Sequence, residues 1–188
     1  MDWDAKRESR IGLITTLAAE SAERHIGRTS LMKFCYFLQV LRGVPLGYNF
    51  TLYSYGPFDS EVLSDLNSAE SIGAVVAPAV SYPNGSYGYE IQEGKLGQQF
   101  RDNPAITEYK SAIDWVLEKF GNYASADLEL LSTIVYVDRE AGKRKEALVT
   151  SDLVQRVRDV KPRFAESEIE EKVDWLRKEK LLRHTSDR

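Results

Sequence analysis

The sequence contains one cysteine and two histidines among its 188 residues. The single cysteine, Cys35, excludes a disulfide framework and a cysteine-rich zinc site. No window approaches the roughly 18 consecutive apolar residues that a membrane-spanning helix requires. The first ten residues mix acids and bases and lack the apolar core of a secretory signal. These absences predict a soluble, cytoplasmic protein without membrane contact.

Motifs that carry catalysis are also missing. The chain contains no G-x-S-x-G nucleophile elbow and no H-E-x-x-H or EF-hand pattern. The segment from Gly88 to Leu96 resembles a phosphate-binding loop only superficially, because five residues separate its glycines instead of four. Leu96 also stands where Ser or Thr would coordinate magnesium. We therefore predict a protein that is not an enzyme and uses no cofactor or metal.

Charge is unevenly divided along the chain, whose net charge is −4. Residues 1–94 hold 7 Lys and Arg against 11 Asp and Glu, and residues 95–188 hold 18 of each. The first half is therefore acidic, whereas proteins that bind duplex DNA strongly present a basic surface.

Apolar residues in the first half repeat at helical and then at strand spacing. The pattern predicts a helix over residues 4–25 and a second over residues 29–41, which is apolar on nearly every side as a core helix is. Alternation over residues 48–53 predicts a half-buried strand, which Gly56-Pro57 ends with a turn. A third helix follows over residues 59–71, with a capping side chain at its start.

A hairpin is predicted next. Two strand-like runs, residues 75–82 and 87–91, flank Pro83-Asn84-Gly85-Ser86. Asn-Gly between such runs is a strong hairpin signal. The order helix, helix, strand, helix, hairpin is that of a winged helix.

The second half is predicted to be helical throughout. A Gly- and Gln-containing connector, residues 93–103, is the predicted domain boundary. Apolar stripes beyond it indicate four helices, which cover about residues 103–120, 125–139, 153–160 and 165–180. The predicted fold is α+β and mostly α. A winged-helix-like domain of residues 1–93 is followed by a helical domain of residues 94–188 packed against it, or the two form one continuous domain.

Residues 30–73 resemble a known group of prokaryotic and phage-borne domains. The matching residues are Lys33, Tyr36-Phe37-Leu38-Gln39, Gly43, Pro45-Leu46, Phe50 and Tyr55-Gly56-Pro57-Phe58. A K-x-x-Y-F-x-Q helix followed by a Y-G-P turn is similar to the pattern of the YwgA-like and Panacea-type families. The resemblance continues loosely to Leu182.

The resemblance implies an interaction module rather than an enzyme. In the YwgA-like branch, a similar domain forms the toxin-binding half of DarG, the antitoxin of a DNA ADP-ribosyltransferase, and acts there by imitating DNA. Panacea-type domains are similarly antitoxin modules, and relatives serve as adaptors in regulated proteolysis. DarG also carries an ADP-ribose-removing macrodomain, which nothing in this sequence resembles, so that activity is not implied.

The matching segment contains candidate partner-binding residues. The Tyr55-Gly56-Pro57-Phe58 turn, with Tyr53 beside it, either anchors the preceding strand to the core or contacts a partner, since Tyr is frequent at interface anchors. Lys33 lies on an otherwise apolar helix. It extends to the surface, pairs with an acid such as Asp59 or Glu61, or binds a partner.

The third helix is acidic at the position where a winged helix would read DNA. It carries Asp59, Glu61, Asp65 and Glu70 and has no Lys or Arg. Carboxylates oppose the counterion release that drives DNA binding. Base readout in the major groove relies on Arg, Lys, Asn and Gln, of which this helix has only Asn67. The helix therefore presents an ordinary solvated face or docks a basic protein, for example a nucleic-acid-modifying toxin.

Tyrosines and basic clusters complete the candidate residues. The hairpin tyrosines Tyr82, Tyr87 and Tyr89 either stack across the strands or contact a partner. The basic clusters are either solvated faces or phosphate contacts. Their members are Lys143, Arg144, Lys145, Arg156, Arg158, Lys161 and Arg163.

These observations favour a non-enzymatic antitoxin-like or regulatory protein of a prokaryotic toxin–antitoxin or phage-defence system. It would neutralise a protein partner through an acidic surface, by DNA mimicry. The alternative is a winged-helix transcriptional regulator that binds DNA through the tyrosine hairpin and the basic clusters. An enzyme without a recognisable motif ranks third. No heptad or exposed stripe predicts an oligomeric state.

Overall fold

The computed structural model of the protein describes residues 3–81, 85 and 87–186, with side chains from residue 5 onward. Over this range the fold is α+β and mostly helical, as the sequence predicts. Tyr82 and the turn residues Pro83, Asn84 and Ser86 lie outside the described residues. Among the described helices, none combines the length and apolarity needed to cross a membrane.

The described residues form eight α-helices and eight short strands. The helices are α1 (Trp3–Glu20), α2 (Arg28–Arg42), α3 (Ser60–Ser71), α4 (Gly97–Arg101), α5 (Pro104–Phe120), α6 (Ser125–Lys143), α7 (Thr150–Val160) and α8 (Glu166–Lys178), with a 3-10 turn at Ala22–Arg24. The strands are β1 (Thr51–Tyr53), β2 (Gly56–Phe58), β3 (Val75–Val76), β4 (Ala79–Ser81), β5 (Tyr87–Tyr89), β6 (Gln92–Glu93), β7 (Leu148–Val149) and β8 (Thr185–Ser186). They pair two by two: β1 with β2, β3 with β6 and β4 with β5 are antiparallel, and β7 with β8 is parallel.

The chain folds into two compact units. The first comprises Met1–Phe50 and Asp59–Tyr123, and the second comprises Thr51–Phe58 and Ala124–Arg188. The predicted boundary between residues 93 and 94 therefore falls inside the first unit. The β1–β2 segment, predicted as part of the first domain, belongs to the second unit.

Helix α2 is the centre of the first unit. Its residues 30–38 are all buried, Lys33 included, as expected for a helix that is apolar on nearly every side. Phe37 stacks on Phe120 of α5 with ring centroids 4.0 Å apart. The helix ends at Gly43, whose φ of +71° is unfavourable for other residues and whose N–H donates to the Leu38 carbonyl.

The segment before β1 differs from the predicted strand. Residues 48–50 are not in a strand, because the side chain of Gln39 bonds both the N–H and the carbonyl of Tyr48, each at 2.9 Å. Gly56-Pro57 is not the predicted turn but lies in β2, opposite β1. A Cβ at Gly56 would lie only 3.1 Å from Thr133 Oγ1 of α6, so this strand packs closely on the helix.

Helix α6 is the centre of the second unit, and its buried apolar residues meet those of α7 and α8. Its residue Asp138 is fully buried and secures the last strand. The carboxylate accepts hydrogen bonds from the backbone N–H groups of Arg183 and His184, both at 3.0 Å, and from the Thr185 hydroxyl at 2.8 Å. Arg139 pairs with the same carboxylate.

Candidate interaction surface

The predicted site residues divide by exposure into two groups. Lys33, Asp65 and Lys161 are buried, with 2%, 2% and 3% of their surface exposed. This corrects their expected place on a binding surface. The tyrosines predicted to contact a partner are exposed instead: Tyr53 at 64%, Tyr55 at 65%, Tyr87 at 82% and Tyr89 at 41%.

Asp65 is the centre of a buried cluster in the first unit. Its Oδ2 accepts a hydrogen bond from the Tyr48 hydroxyl at 2.9 Å and lies 3.4 Å from Arg10 Nη1. Arg10 is itself buried; it also pairs with Glu61 at 2.6 Å and donates from Nε to the Leu46 carbonyl at 2.7 Å. The Asp65 cluster (Asp65, Arg10, Tyr48 and Glu61) thus joins α1, α3 and the segment after α2.

Burial dominates the protonation of these groups. It raises the pKa of Asp65, although the Tyr48 hydroxyl and Arg10 oppose the shift. Burial also raises the pKa of Tyr48, so the phenol stays protonated and acts as a donor. The pKa of Cys35 is raised to about 12 by burial and by the Asp65 charge, so the thiol is unreactive at neutral pH.

The remaining acids of α3 are also largely engaged within the first unit. Asp59 caps the helix: its Oδ1 accepts the Glu61 N–H at 2.8 Å, and its Oδ2 accepts the Asn49 N–H at 2.5 Å. Glu61 is one-third exposed, and Glu70 is exposed. The acidic face predicted from the sequence is therefore smaller than the count of carboxylates suggests.

The β1–β2 segment, residues 51–58, forms a tyrosine hairpin in the second unit. Lys161 supports its turn from inside, because its ammonium donates to the carbonyls of Tyr53, at 3.2 Å, and Ser54. The same ammonium lies 2.9 Å from Glu129 Oε1 of α6. Lysine, with three donors, suits this position between a carboxylate and two carbonyls.

Arg163 connects the buried Glu129 carboxylate with the protein surface. It pairs with Glu129, which is buried, while its own side chain is 52% exposed. Its guanidinium lies 5.8 Å from the Tyr55 ring centre and 4.8 Å from that of Phe164. We call Glu129, Lys161 and Arg163 the Glu129 cluster. Phe58 is half-buried and lies against Tyr53, with centroids 5.4 Å apart.

The β4–β5 hairpin presents the other tyrosines, in the first unit. The Arg28 guanidinium lies 3.7 Å from the Tyr89 ring centre, and His25 pairs with Glu90. The Ile91 N–H donates to the Ile26 carbonyl at 2.9 Å, which ties the end of the hairpin to the segment before α2. Tyr87 projects into solvent beyond these contacts.

The predicted basic clusters are mostly paired with acids. Lys143 pairs with Glu140 at 2.6 Å, Arg156 with Glu146 at 2.7 Å, and Arg158 with Glu166. Arg144 and Lys145 are exposed, and no acid in the described part of the chain pairs with either. The structure therefore does not bring the seven predicted cations together as one uncompensated surface.

Two buried ion pairs were missed by sequence reasoning. The Arg10–Asp65 pair left one signal, since Arg10 directly precedes the apolar stripe of α1. The Glu129–Lys161 pair left none, because Lys161 lies in a run of surface-like charges. Within the described residues, no group of three or more His, Cys, Asp and Glu could hold a metal ion.

The sequence matches no protein-family model and has no significant match among curated proteins. The similarity to the YwgA-like and Panacea-type families therefore stays a prediction from the residues that carry it.

Proposed function

We propose that this chain is a non-enzymatic interaction module, an antitoxin-like or regulatory protein of a prokaryotic toxin–antitoxin or phage-defence system. It acts by binding a protein partner and covering that partner's active surface. The observation that carries the proposal is the exposure of Tyr53, Tyr55, Tyr87 and Tyr89 on two supported hairpins. The finer fold assignment, a winged-helix-like arrangement with β4–β5 as its wing, belongs to the same proposal.

Exposed tyrosines at hairpins suit this role. Tyrosine supplies a large ring at low conformational cost and is enriched among residues that dominate binding energy. Lys161 restrains the backbone of the tyrosine hairpin, Arg163 lies beside the Tyr55 ring and Arg28 lies over the Tyr89 ring, so these two rings lose less freedom on binding than unsupported ones would. Within each unit, the pattern therefore favours a preorganised binding patch over scattered apolar exposure.

Charge gives the two units different roles in this proposal. The first unit holds 11 Lys and Arg against 15 Asp and Glu, so it carries the entire net charge of −4. Its exposed acids, such as Glu70, attract a basic partner such as a nucleic-acid-modifying toxin, as DNA would. Asp65 takes no direct part, because it is buried.

Co-expression tests the proposal. The protein encoded beside this one is produced in a bacterial host with and without the chain, and growth and co-purification are followed. We expect growth arrest by the neighbour alone, its relief by the wild-type chain, and a stable complex. Relief should fail with Tyr53→Ser/Tyr55→Ser. The proposal would be contradicted if the neighbouring protein arrests growth, this chain does not relieve the arrest, and the two proteins do not bind each other.

DNA binding is the second candidate, favoured by the exposed and unmatched Arg144 and Lys145. Fluorescence anisotropy with labelled duplex and single-stranded DNA at roughly 50 and 200 mM salt separates the two functions, because phosphate contacts weaken steeply over this range. We expect no binding at either salt concentration. Sub-micromolar affinity that collapses with salt would favour the regulator.

A further inference from the structure

Strands β3 and β4 form one side of a single long hairpin in the first unit. The β3–β6 and β4–β5 pairs share one register, with the same offset between opposite residues. Between the two pairs, the Pro78 carbonyl accepts the Glu90 N–H at 3.1 Å in that same register. Residues 75–81 therefore form a continuous ladder with β5 and β6. We call residues 75–81 the edge strand.

The edge strand has unpaired backbone groups on its outer side. In an antiparallel ladder, successive residues bond alternately toward the partner strand and away from it. Because Pro78 bonds inward, Ala77, Ala79 and Ser81 direct their N–H and C=O groups outward. Within the described part of the chain, no hydrogen bond reaches these outward groups. Ala79 and Ser81 are also exposed, so a further strand has access to them.

This edge lacks the features that usually prevent strand addition. Natural sheet edges are protected by charged side chains, by bulges, or by a proline that removes an outward N–H group. Residues 75–81 carry no charge, and their continuous register leaves no bulge among them. Pro78 lacks only an inward donor. The outward donors of the edge strand are therefore complete.

We infer that the edge strand pairs with the edge strand of a second copy of this chain. The two strands run antiparallel about a two-fold axis at Ala79, which places Ala79 opposite Ala79 and Ala77 opposite Ser81 of the second copy. All the outward groups of these three residues then find partners, and both copies contribute the same surface, as a closed dimer requires. The paired side chains are small and uncharged, so neither bulk nor like-charge repulsion opposes the approach.

The opposite side of the hairpin limits this association to a dimer. There the Ile91 N–H donates to the Ile26 carbonyl at 2.9 Å, so the segment before α2 covers that side. A hairpin with one open edge adds one strand and then has no further edge to offer. A second copy carries the same uncharged, unprotected edge and is present at the concentration of the protein itself. The edge strand is therefore committed to its own copy before any other strand.

Pairing would bring the exposed tyrosines of two copies onto one surface. Ala79 lies opposite Tyr89 and Ser81 opposite Tyr87, and opposite residues share one face of a sheet. The two-fold axis runs perpendicular to the sheet, so both copies present this face on the same side. The dimer thus carries four tyrosine rings on one face of a four-stranded sheet. It forms whether or not the partner protein of the proposed function is present.

Analytical ultracentrifugation of the pure chain over a concentration series tests the pairing. A strand pair of this length buries less surface than a permanent interface does. We therefore expect the average mass to rise from 21.4 kDa at about 10 μM toward twice that mass at about 1 mM. Ala79→Lys and Ala79→Glu place like charges opposite each other at the axis, and each should weaken the dimer about fivefold or more.

An equimolar mixture of the two Ala79 variants should restore the dimer, because Lys then lies opposite Glu. Gln92→Lys is the matched control: it adds a charge at an exposed position of β6, on the other strand of the same hairpin. This variant should associate as the wild type does. Circular dichroism checks that each variant is folded.

Hydrogen exchange in the wild type gives a second readout that needs no variant. The outward N–H groups of Ala79 and Ser81 should exchange more slowly at about 1 mM than at about 10 μM, because pairing protects them. Equal rates at both concentrations would overturn the inference. So would a monomer at every concentration, an unweakened dimer in Ala79→Lys, or a mixture of variants that associates no better than either alone. If the chain stays monomeric while the neighbouring gene product still binds, the edge pairing falls and the proposed function stands.

Discussion

Asp65 in the first unit and Glu129 in the second are both buried helix carboxylates, and each pairs with two cations. Their surroundings differ. The closest partners of Asp65, Arg10 and Tyr48, are themselves buried, and Glu61, the most exposed member of the cluster, is one-third exposed. Glu129 pairs with Lys161, which holds the tyrosine hairpin, and with Arg163, which is half exposed beside Tyr55.

The difference separates stability from recognition. A buried ion pair is expensive to desolvate and is costly to break by removing one partner. In the first unit, breaking the Asp65 cluster should therefore lower the stability of the core. In the second unit the same chemistry fixes the position of exposed rings, so its loss should alter a surface as well as stability.

Removing the Asp65 carboxylate should have the largest effect. Asp65→Ala leaves the Tyr48 hydroxyl without its acceptor and Arg10 with one carboxylate fewer. We expect the free energy of unfolding of the first unit to fall by about 3–5 kcal/mol. Urea denaturation followed by circular dichroism measures the change.

Glu70→Ala is the matched control, because Glu70 lies on the same helix and is exposed. Its denaturation midpoint should equal that of the wild type. Equal midpoints for Asp65→Ala and the wild type would show that the Asp65 cluster contributes nothing to the core.

Lys161→Met should have the next largest effect. The change removes the donor to the Tyr53 and Ser54 carbonyls and one partner of Glu129, while it keeps an unbranched side chain. We expect a loss of about 2–3 kcal/mol and faster amide hydrogen exchange in residues 51–58. Lys145→Met, at an exposed site, serves as the control. Unchanged hydrogen exchange in the hairpin would show that Lys161 does not hold the tyrosine hairpin in place.

Asp138→Ala tests the other buried carboxylate of the second unit. The carboxylate accepts two backbone N–H groups and a hydroxyl from residues 183–185. We expect a loss of about 2 kcal/mol and rapid hydrogen exchange in β7 and β8. The exposed acid Glu170, changed to Ala, should leave both unchanged. Protection of β8 that survives Asp138→Ala would contradict this role.

The smallest expected effect is on the rate at which a thiol reagent labels Cys35. Because this buried thiol lies in the first unit, its labelling rate reports opening of that unit and not of the second. The pKa of about 12 and full burial predict no reaction with a thiol reagent at pH 8 in the native protein. Labelling should be complete in urea and measurably faster in Asp65→Ala than in Lys161→Met. Rapid labelling of the native wild type would show that the core around α2 is open.

Local signals in the sequence were sufficient for much of the fold. The α+β, mostly helical class is confirmed, as is a capping side chain at the start of α3, for which the sequence left Asp59 and Ser60 open and the structure has Asp59. The two predicted hairpin strands do pair, at residues 79–81 and 87–89. These features depend on apolar periodicity, capping and turn residues, all of which act over a few neighbouring positions.

Features that depend on distant partners were not predictable. Gly56-Pro57 is typical of a turn, yet it forms a strand that packs closely on α6, a helix more than 70 residues later in the chain. Lys161 reads as a surface cation, but Glu129 and carbonyls 107 and 108 residues away make it a buried one. Asp65 reads as part of an acidic face because its spacing gives no sign of Arg10.

Calorimetric titration of the neighbouring gene product into this chain tests the central claim most directly, namely that the exposed tyrosines held by the Glu129 cluster bind a protein. We predict sub-micromolar binding to the wild type and to Tyr53→Phe/Tyr55→Phe, which keeps both rings. Tyr53→Ser/Tyr55→Ser, which removes them, should weaken binding about a hundredfold. Wild-type affinity in the serine variant, or no heat of binding to the wild type, would contradict the account.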